Sequence, residues 1–343
     1  CELYLKPENL QVTGSFKVRG AGYMISQLTD EEKARGVIAC SAGNHAQGVA
    51  LAATKYGISS LICLPDGAPI SKVEATKGYG ADVCMVNGVY DDAYKKALEL
   101  RDEKGYTFVH PFDDEKVIPV GGGGLISGVA YAIKKLRPEC KVYGVQAAGA
   151  PSMVNSIHDG KLEKLDSVST IADGIAVKEP GVNTFELVKK YVDDVVTVSE
   201  DEICSAILAL IEQHKMIAEG AGAVSVAAAM FNKVPVEGKK VVCLVSGGNI
   251  DVTILSRVIK RGLYKTGRSC ALCVELIDKP GQLRIVSEII ASKGGNVISV
   301  SHERGSETED INGCFLRLEL ETRNYAHIEE IVSALKDAGL KLV

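Results

Sequence analysis

The chain has 343 residues, enough for two or three domains, which excludes a single small binding module. Hydrophobic residues make up 46% and charged residues 24%, as in soluble globular proteins rather than disordered ones. The 39 basic and 44 acidic residues give a net charge of −5 without a basic cluster, so neither nucleic acid nor a membrane is expected as a partner. Because no apolar run is long enough to span a bilayer, we expect a cytoplasmic protein.

Between residues 36 and 111, short apolar runs alternate with amphipathic stretches. Apolar runs bounded by Gly, Pro or polar loops predict strands, and the amphipathic stretches predict helices. The predicted strands are Gly36–Ser41, Leu61–Pro65, Asp82–Val86 and Thr107–His110, and the predicted helices are Asn44–Tyr56, Ser71–Tyr79 and Asp91–Lys104. This alternation indicates an α/β unit with a parallel sheet.

A second series of the same kind begins after residue 120. Four glycines precede a predicted helix at Leu125–Leu136, and strands are predicted at Val142–Gln146, Val195–Val198 and Val241–Val245. A capping box formed by Ser199 and Glu202 predicts the start of another helix. We therefore assign residues 36–111 to a smaller α/β subdomain, and residues 1–35 with 119–260 to a larger one.

The connection between the two series is too short for a parallel crossover. Only residues 113–118 separate the strand that ends near His110 from the next candidate strand at Pro119, whereas a crossover needs about a dozen residues. Either the chain passes here between two separate sheets, or residues are absent between Ile118 and Pro119. We expect the second, and we also expect residues to be absent before Cys1, which is not Met and lies in a strand pattern.

Residues 269–343 have a different pattern. Alternating apolar residues predict strands at Ser269–Ile277, Val297–Val300 and Cys314–Leu320, and a last extended segment at Leu340–Val343. Helices are predicted from the apolar faces of Leu283, Val286 and Ile290, and of Ile328, Ile331 and Leu335. The resulting order βαββαβ is that of a ferredoxin-like domain, joined to the rest by a polar hinge at residues 261–268.

Three loops at the ends of predicted strands carry groups that bind anions or polar ligands. The segment Ser41–His45 opens a helix whose N-terminal amides attract an anion, and four glycines at 121–124 let several amides converge on one phosphate. The third loop is Ser246–Asn249. Because ligands bind at the carboxyl ends of parallel strands, these loops predict one ligand with a phosphate group. Lys17 lies at a further junction between a loop and a helix.

The spacing of cysteine and histidine residues does not match a metal site. Cys270 and Cys273 are three residues apart on a predicted strand, so they point to opposite faces, and none of the six histidines forms an H-x-x-x-H pair. The ten cysteines lie in apolar segments, where free thiols act as small hydrophobic groups. We therefore predict neither a metal site nor a disulfide scaffold.

Together and in this order, five motifs resemble those of fold-type II pyridoxal-phosphate enzymes, most closely the threonine dehydratases. The motifs are Ser15–Gly20, Ser41–Gly48, Gly121–Leu125, Ala172–Gly174 and Ser246–Asn249. The tail around Asp278–Leu283 is similar to an ACT domain, a module that senses amino acids. The resemblance covers nearly the whole chain. It implies an α/β catalytic region at residues 1–260 and an ACT regulatory domain at residues 269–343.

The resemblance also implies a cofactor and a set of site residues. Lys17 would hold pyridoxal 5'-phosphate as a Schiff base and act as the catalytic base. The expected cofactor contacts are Phe16, Lys17, Asn44, Gly121, Gly122, Gly123, Gly124, Leu125 and Ser246. The expected substrate contacts are Ser41, Ala42, Gly43, Asn44 and His45, with Asp173, Gly174 and Glu219 near the cofactor. The expected effector contacts are Asp278, Gly281, Gln282, Leu283 and Asn296.

The function implied is β-elimination of L-threonine, and also of L-serine, with isoleucine or valine as effectors and a homodimer or homotetramer as the assembly. A serine racemase, or another β-eliminating or β-replacing relative, is the alternative enzyme. The positions that match the acidic cation site of serine racemases are Gln146, Ala150 and Ser152, and none of them is a carboxylate. A regulator that only binds amino acids is the non-enzymatic alternative, although such a protein would not need Lys17.

Overall fold

The computed structural model describes residues 1–110, 122–304 and 313–343. These residues form two compact units, 1–255 and 256–343. No helix in the described part of the chain is long and apolar enough to cross a membrane. Gly121 and the junction between Ile118 and Pro119, where we expect residues to be absent, lie outside the described residues.

In the described residues as far as 265, each strand is followed by one or two helices. In chain order they are β1 (Glu2–Pro7), α1 (Lys17–Ser26), α2 (Asp30–Arg35), β2 (Val37–Cys40), α3 (Asn44–Lys55), β3 (Ser60–Pro65), α4 (Ile70–Gly78), β4 (Asp82–Val86), α5 (Tyr90–Lys104), β5 (Thr107–Phe108), α6 (Gly124–Leu136), β6 (Tyr143–Ala147), α7 (Ser152–Asp159), α8 (Val182–Tyr191), β7 (Asp194–Val198), α9 (Glu200–His214), α10 (Gly220–Met230), β8 (Lys240–Val245) and α11 (Val252–Lys265).

The smaller subdomain is built on a parallel sheet with the strand order β4-β3-β2-β5. Every residue of β2 is buried, because helices cover both faces of the sheet's centre. Helix α1 contributes Ala21, Met24 and Ile25 to the core on one of these faces. The structure therefore packs α1 with the smaller subdomain, whereas the sequence analysis placed residues 1–35 in the larger one.

The larger subdomain contains two parallel strand pairs, β1 with β8 and β6 with β7. The predicted capping box of α9 is confirmed: the Glu202 amide donates to Ser199 Oγ at 3.3 Å, and the Ser199 amide donates to the Glu202 carboxylate at 2.7 Å. Helices α7 and α8 are not among the predicted elements. Neither begins with a side-chain cap, since Pro151 and Gly181 precede them, so the usual signal for a helix start is missing.

In its described residues the second unit contains most of α11, an antiparallel sheet of four strands and two further helices. After α11 its elements are β9 (Ser269–Ile277), α12 (Gln282–Ser292), β10 (Asn296–Arg304), β11 (Gly313–Glu321), α13 (Tyr325–Asp337) and β12 (Lys341–Leu342). The strand order is β10-β11-β9-β12, and Val286, Ile290, Ile331 and Leu335 of the two helices pack against the central strands. The predicted order βαββαβ is confirmed. The hinge predicted at 261–268 differs, because α11 continues through it as far as Lys265.

Candidate active site

Lys17 is the first residue of α1, and the loop before it is hydrogen-bonded to the loop after β8. The Phe16 amide donates to the Ser246 carbonyl at 3.1 Å, and the Gly248 amide donates to the Gly14 carbonyl at 2.8 Å. Helix α3 packs against the same point. A Cβ atom on Gly48 of α3 would lie only 3.1 Å from the Lys17 carbonyl group, so glycine permits this close approach.

A cavity of about 1420 Å³ brings most of the predicted site residues together. Those that line it are Phe16, Lys17, Ser41, Ala42, Gly43, Asn44, His45, Leu125, Asp173, Gly174, Glu219 and Ser246. They come from both subdomains and from widely separated parts of the chain. Two of the loops that the sequence analysis singled out at strand ends therefore meet at this cavity, one through Ser41–His45 and the other through Ser246.

The described glycines of the predicted phosphate loop, residues 122–124, lie beside the cavity without lining it, and Leu125 is the first residue of this segment that does. Gly123 precedes α6 with a φ of +104°, a conformation that favours glycine. The Gly122 carbonyl accepts hydrogen bonds from the Gly181 amide at 3.1 Å and from the Thr184 hydroxyl. These contacts hold the start of α6 in place, and the amides in the first turn of a helix can bind an anion.

Two asparagines and one glutamate form a hydrogen-bonded chain in the cavity wall. Asn44 Nδ2 donates to Glu219 Oε1 at 2.7 Å, and Asn249 Nδ2 donates to Asn44 Oδ1 at 2.7 Å. Asn249 Nδ2 also donates to the Thr13 carbonyl at 2.6 Å. The chain joins helix α3 of the smaller subdomain to the loop after β8 and to the start of α10. It fixes which way the Asn44 amide faces.

Burial shifts the pKa values of the two ionisable groups at the centre of the site. It lowers the pKa of Lys17 to about 8, although the Glu219 carboxylate favours the ammonium form. It raises the pKa of Glu219 to about 7, and repulsion from Asp173 adds to this, while Lys72 and the hydrogen bond from Asn44 act in the opposite direction. Near neutral pH both groups can therefore exchange protons.

His45 is a structural residue rather than an acid or a base. Its Nε2 lies 2.9 Å from the Val109 carbonyl, to which the neutral imidazole donates. Burial and, to a smaller extent, the charge of Lys17 lower the pKa of His45 to about 3. His45 thus stays uncharged and anchors the first turn of α3. Ser41 Oγ accepts a hydrogen bond from the Gly43 amide at 3.2 Å, which shapes the turn before that helix.

Two residues with a clear place in the site carry no sequence signal of their own. Lys72, of α4, is 2.8 Å from the Asp173 carboxylate, and both line the cavity. Asn249 is the last residue of the predicted Ser246–Asn249 loop, but the sequence analysis gave it no role. In both cases the partner is remote in the chain, so spacing along the sequence does not reveal the contact.

These groups fit pyridoxal phosphate. A Schiff base requires an uncharged amine, which burial favours at Lys17, and the phosphate requires converging amides, which the first turn of α6 provides. A neutral hydroxyl is available at Ser246, where Oγ donates to the Ala221 carbonyl at 3.3 Å. Asn44 adds an amide with a fixed orientation.

The comparisons with known proteins agree with this donor set. A family model described as pyridoxal-phosphate dependent enzyme matches residues 1–118 and 114–247. The L-threonine ammonia-lyase of Thermotoga maritima is 49% identical over 363 residues, which cover 99% of this chain and 90% of that protein. The processed form of threonine deaminase isoform 2 from Solanum lycopersicum has a TM-score of 0.72 and 38% identity, covering 76% of this chain and 78% of that one. Maize serine racemase has a TM-score of 0.70 and 33% identity, and the match covers 77% of this chain and 88% of that one.

We expect Gly247→Ala to disrupt the site. Its Cβ would lie 2.3 Å from Glu219 Oε1 and 3.2 Å from Asn44 Nδ2, so the hydrogen-bonded chain would have to shift. Overpacking of this kind costs about 1–3 kcal/mol. The melting temperature of the protein and its affinity for pyridoxal phosphate should both decrease. The control is Gly67→Ala, whose Cβ meets no atom within 4 Å. Equal affinities in the two variants would contradict the prediction.

We expect the rate of pyridoxal-phosphate uptake by the cofactor-free protein to increase with pH and level off above about 8, because only the neutral Lys17 amine attacks an aldehyde. Below that pH the rate should decrease roughly tenfold per unit. In Glu219→Gln the midpoint should move to lower pH, because a negative charge that favours the ammonium form is gone. Stopped-flow absorbance would measure the rates. The control is Glu186→Gln, at an exposed position of α8, which should leave the midpoint unchanged. An unchanged midpoint in Glu219→Gln would contradict the prediction.

Proposed function

Because the chain belongs to the family of pyridoxal-phosphate-dependent enzymes, we propose that it is an L-threonine ammonia-lyase, which converts L-threonine to 2-oxobutyrate and ammonia. The observation that carries the proposal is the convergence of Lys17, the Ser41–His45 turn and Ser246 on one cavity. The 49% identity to the Thermotoga enzyme over 99% of this chain supports the choice of L-threonine. Membership of this family makes the chain an enzyme rather than a regulator that only binds amino acids.

Four parts of the chain would hold the cofactor. Lys17 would bind it covalently, and the amides at the start of α6, with glycines 121–124, would hold its phosphate. Asn44 would contact the ring hydroxyl, and Ser246 would face the ring nitrogen. When bound, pyridoxal phosphate supplies an electron sink for the negative charge that develops at the substrate Cα.

The substrate carboxylate would bind at the Ser41–His45 turn. Helix α3 has 12 residues, and the free amides of its first turn carry partial positive charge. The neutral state of His45 leaves the orientation of this turn independent of pH in the physiological range. Glu219 and Asp173 also line the cavity, so a second anionic group is less favourable close to them.

Lys17 would remove the proton from the substrate Cα. Its pKa of about 8 leaves a useful fraction of neutral amine near pH 7, and the amine stays basic enough to accept a proton. Ser246 places an uncharged hydroxyl, rather than a carboxylate, at the ring nitrogen. A hydroxyl is a poor stabiliser of a protonated ring, so less of the negative charge at Cα would be delocalised into the bound cofactor. That electron pair would then form the Cα–Cβ double bond as the Cβ–O bond breaks and hydroxide leaves.

Racemisation of serine is the second candidate, and the similarity to maize serine racemase is the observation in its favour. The positions that match the cation site of serine racemases have other uses in this chain. Gln146 Oε1 accepts a hydrogen bond from the Val154 amide at 2.9 Å, and Ala150 and Ser152 are buried next to the start of α7. An assay with L-serine separates the candidates, since elimination yields an oxo acid and racemisation yields D-serine.

We further propose that residues 269–343 are an ACT-type regulatory domain that binds isoleucine or valine and contributes to a homodimer or homotetramer. The expected ligand-binding segment begins at Asp278 and continues into α12, whose N-cap Gly281 has a φ of +95°. Asn296 does not join this segment within one chain. Asn296 pairs with Glu321 of β11, which in turn pairs with Ser269 at the start of β9. Ser269 is eight strand positions from Ile277, the residue before Asp278, so Asn296 and Asp278 are separated by about 27 Å along the sheet. Only a partner copy could bring Asn296 to the Asp278 segment.

Replacing Lys17 by alanine should reduce 2-oxobutyrate formation from L-threonine roughly 10²–10⁴-fold, the usual contribution of a general base. Mass spectrometry after borohydride reduction should find the cofactor attached to the Lys17 peptide in the parent protein and absent from the variant. Lys55→Ala, an exposed lysine at the end of α3, serves as the matched control. A Lys17→Ala protein with normal turnover would refute the assignment.

Titration with isoleucine or valine should shift the L-threonine saturation curve of the intact protein. Leu283, an exposed residue in the first turn of α12, would pack against the effector side chain, so Leu283→Ala should weaken effector binding about tenfold. Ile285→Ala changes an exposed apolar residue of the same helix and should leave the affinity unchanged. If neither amino acid binds the intact protein, the regulatory role is wrong while the catalytic role is unaffected.

A further inference from the structure

We infer that Asp278, His302 and Cys314 form a binding site for a divalent transition metal such as zinc. The three residues lie at one end of the sheet in the second unit. Asp278 directly follows β9, His302 is near the end of β10, and Cys314 is near the start of β11. Cys314 pairs with Leu276 on one side and with Arg304 on the other, so the central strand lies between the other two ligands.

The distances within the group fit a metal better than direct hydrogen bonds. One ligand atom from each of the three residues lies within 4.8 Å of the others. His302 Nε2 and Asp278 Oδ1 are 3.8 Å apart, which is too long for a hydrogen bond. Two ligands bound to a tetrahedral zinc ion at roughly 2.0–2.1 Å are about 3.4 Å apart. A movement of about 0.4 Å brings this pair to that spacing, and the Cys314 thiol, which lies within 4.8 Å of both, has to approach by up to about 1.2 Å.

Arg304 orients the carboxylate without occupying all of it. Its Nε is 2.8 Å from Asp278 Oδ2, while Oδ1 is the oxygen that faces His302. Carboxylates that bind metals are usually held by such a second interaction, which fixes the position of the remaining oxygen. The ion pair thus prepares Asp278 to bind a metal through Oδ1.

The site combines one buried and two accessible ligands. Cys314 is 1% exposed, whereas His302 and Asp278 reach the surface, so a metal can enter from solvent and meet the thiol at the base. Burial raises the pKa of the Cys314 thiol, and Asp278 raises it further, while Arg304 lowers it. Binding displaces the thiol proton, so affinity should increase with pH. Three protein ligands leave a fourth position for water or an added ligand.

The choice of metal follows from the ligand types. A thiolate, an imidazole and one carboxylate together favour zinc or cobalt over magnesium or calcium, which prefer oxygen ligands alone. The site is separate from the proposed catalytic cavity, because all its residues belong to the second unit, and it shares Asp278 with the proposed effector segment. The sequence analysis predicted no metal site because it searched for short spacings, whereas the sheet brings these ligands together from three strand ends.

Cobalt is the probe for the first test, because its bound state absorbs visible light. The intact, tag-free holoenzyme is treated with a chelator, dialysed and titrated with Co²⁺, and the spectrum before addition is subtracted to remove the cofactor absorption. We expect about one Co²⁺ per chain, with visible bands of tetrahedral cobalt and a near-ultraviolet cobalt–thiolate band. Cys314→Ser should lose the thiolate band, and His302→Ala should weaken binding at least tenfold.

The control is Cys273→Ser, since Cys273 lies on β9 but points to the opposite face of the sheet and should not affect the spectrum. Thermal unfolding gives a second readout, because zinc should raise the melting temperature of the parent and of Cys273→Ser but not of His302→Ala. His302 is exposed, so its replacement tests the site even if Cys314→Ser does not fold. A thiolate band that persists in Cys314→Ser, or no binding at micromolar Co²⁺, would overturn the proposal.

Discussion

A carboxyl group inside a protein, charged or neutral, needs hydrogen bonds or positive charge in place of its lost water, and Glu219 imposes this requirement on the segments around it. Its side chain is 4% exposed, and its main partner is the amide of Asn44 at 2.7 Å. Asn44 can meet the requirement only if α3 begins at this point and if Asn249 holds the other side of its amide. One buried group thus fixes the relative positions of α3, α10 and the loop after β8.

Small residues make that arrangement possible. A Cβ on Gly222 would lie 2.2 Å from the Gly247 carbonyl oxygen, and one on Gly220 would lie 2.7 Å from the backbone of Ala172. The start of α10 therefore contacts two other segments through backbone atoms. The sequence around Glu219 can be read either as a tightly packed helix or as part of a ligand site. Both descriptions apply in the structure, because the close packing of α10 brings the Glu219 carboxyl group to the cavity.

Local patterns identified most of the elements but few of the contacts between them. β4 and β9 have the predicted bounds, and in β9 the alternation of apolar residues leaves little freedom of register. The meeting of the Ser41–His45 turn with Ser246 also followed from the sequence, because parallel strands place their carboxyl ends together. The subdomain of α1 did not, since an apolar face shows that a helix is covered without showing by what. The sequence also did not show that Asn296 and Asp278 lie at opposite ends of the sheet, because this depends on the register of the paired strands.

The packing of α1 makes the site sensitive to parts of the protein that never touch it. The helix is held at its start by the loop after β8 and along its length by the core of the smaller subdomain, where Ile25 is completely buried. Lys17 thus lies where α1, which packs in the core of the smaller subdomain, meets the loop after β8 of the larger subdomain. A cavity or a steric clash in that core would shift α1 and thereby displace the Lys17 amine. The chemistry of Lys17 therefore depends on how tightly a hydrophobic core two turns away is filled.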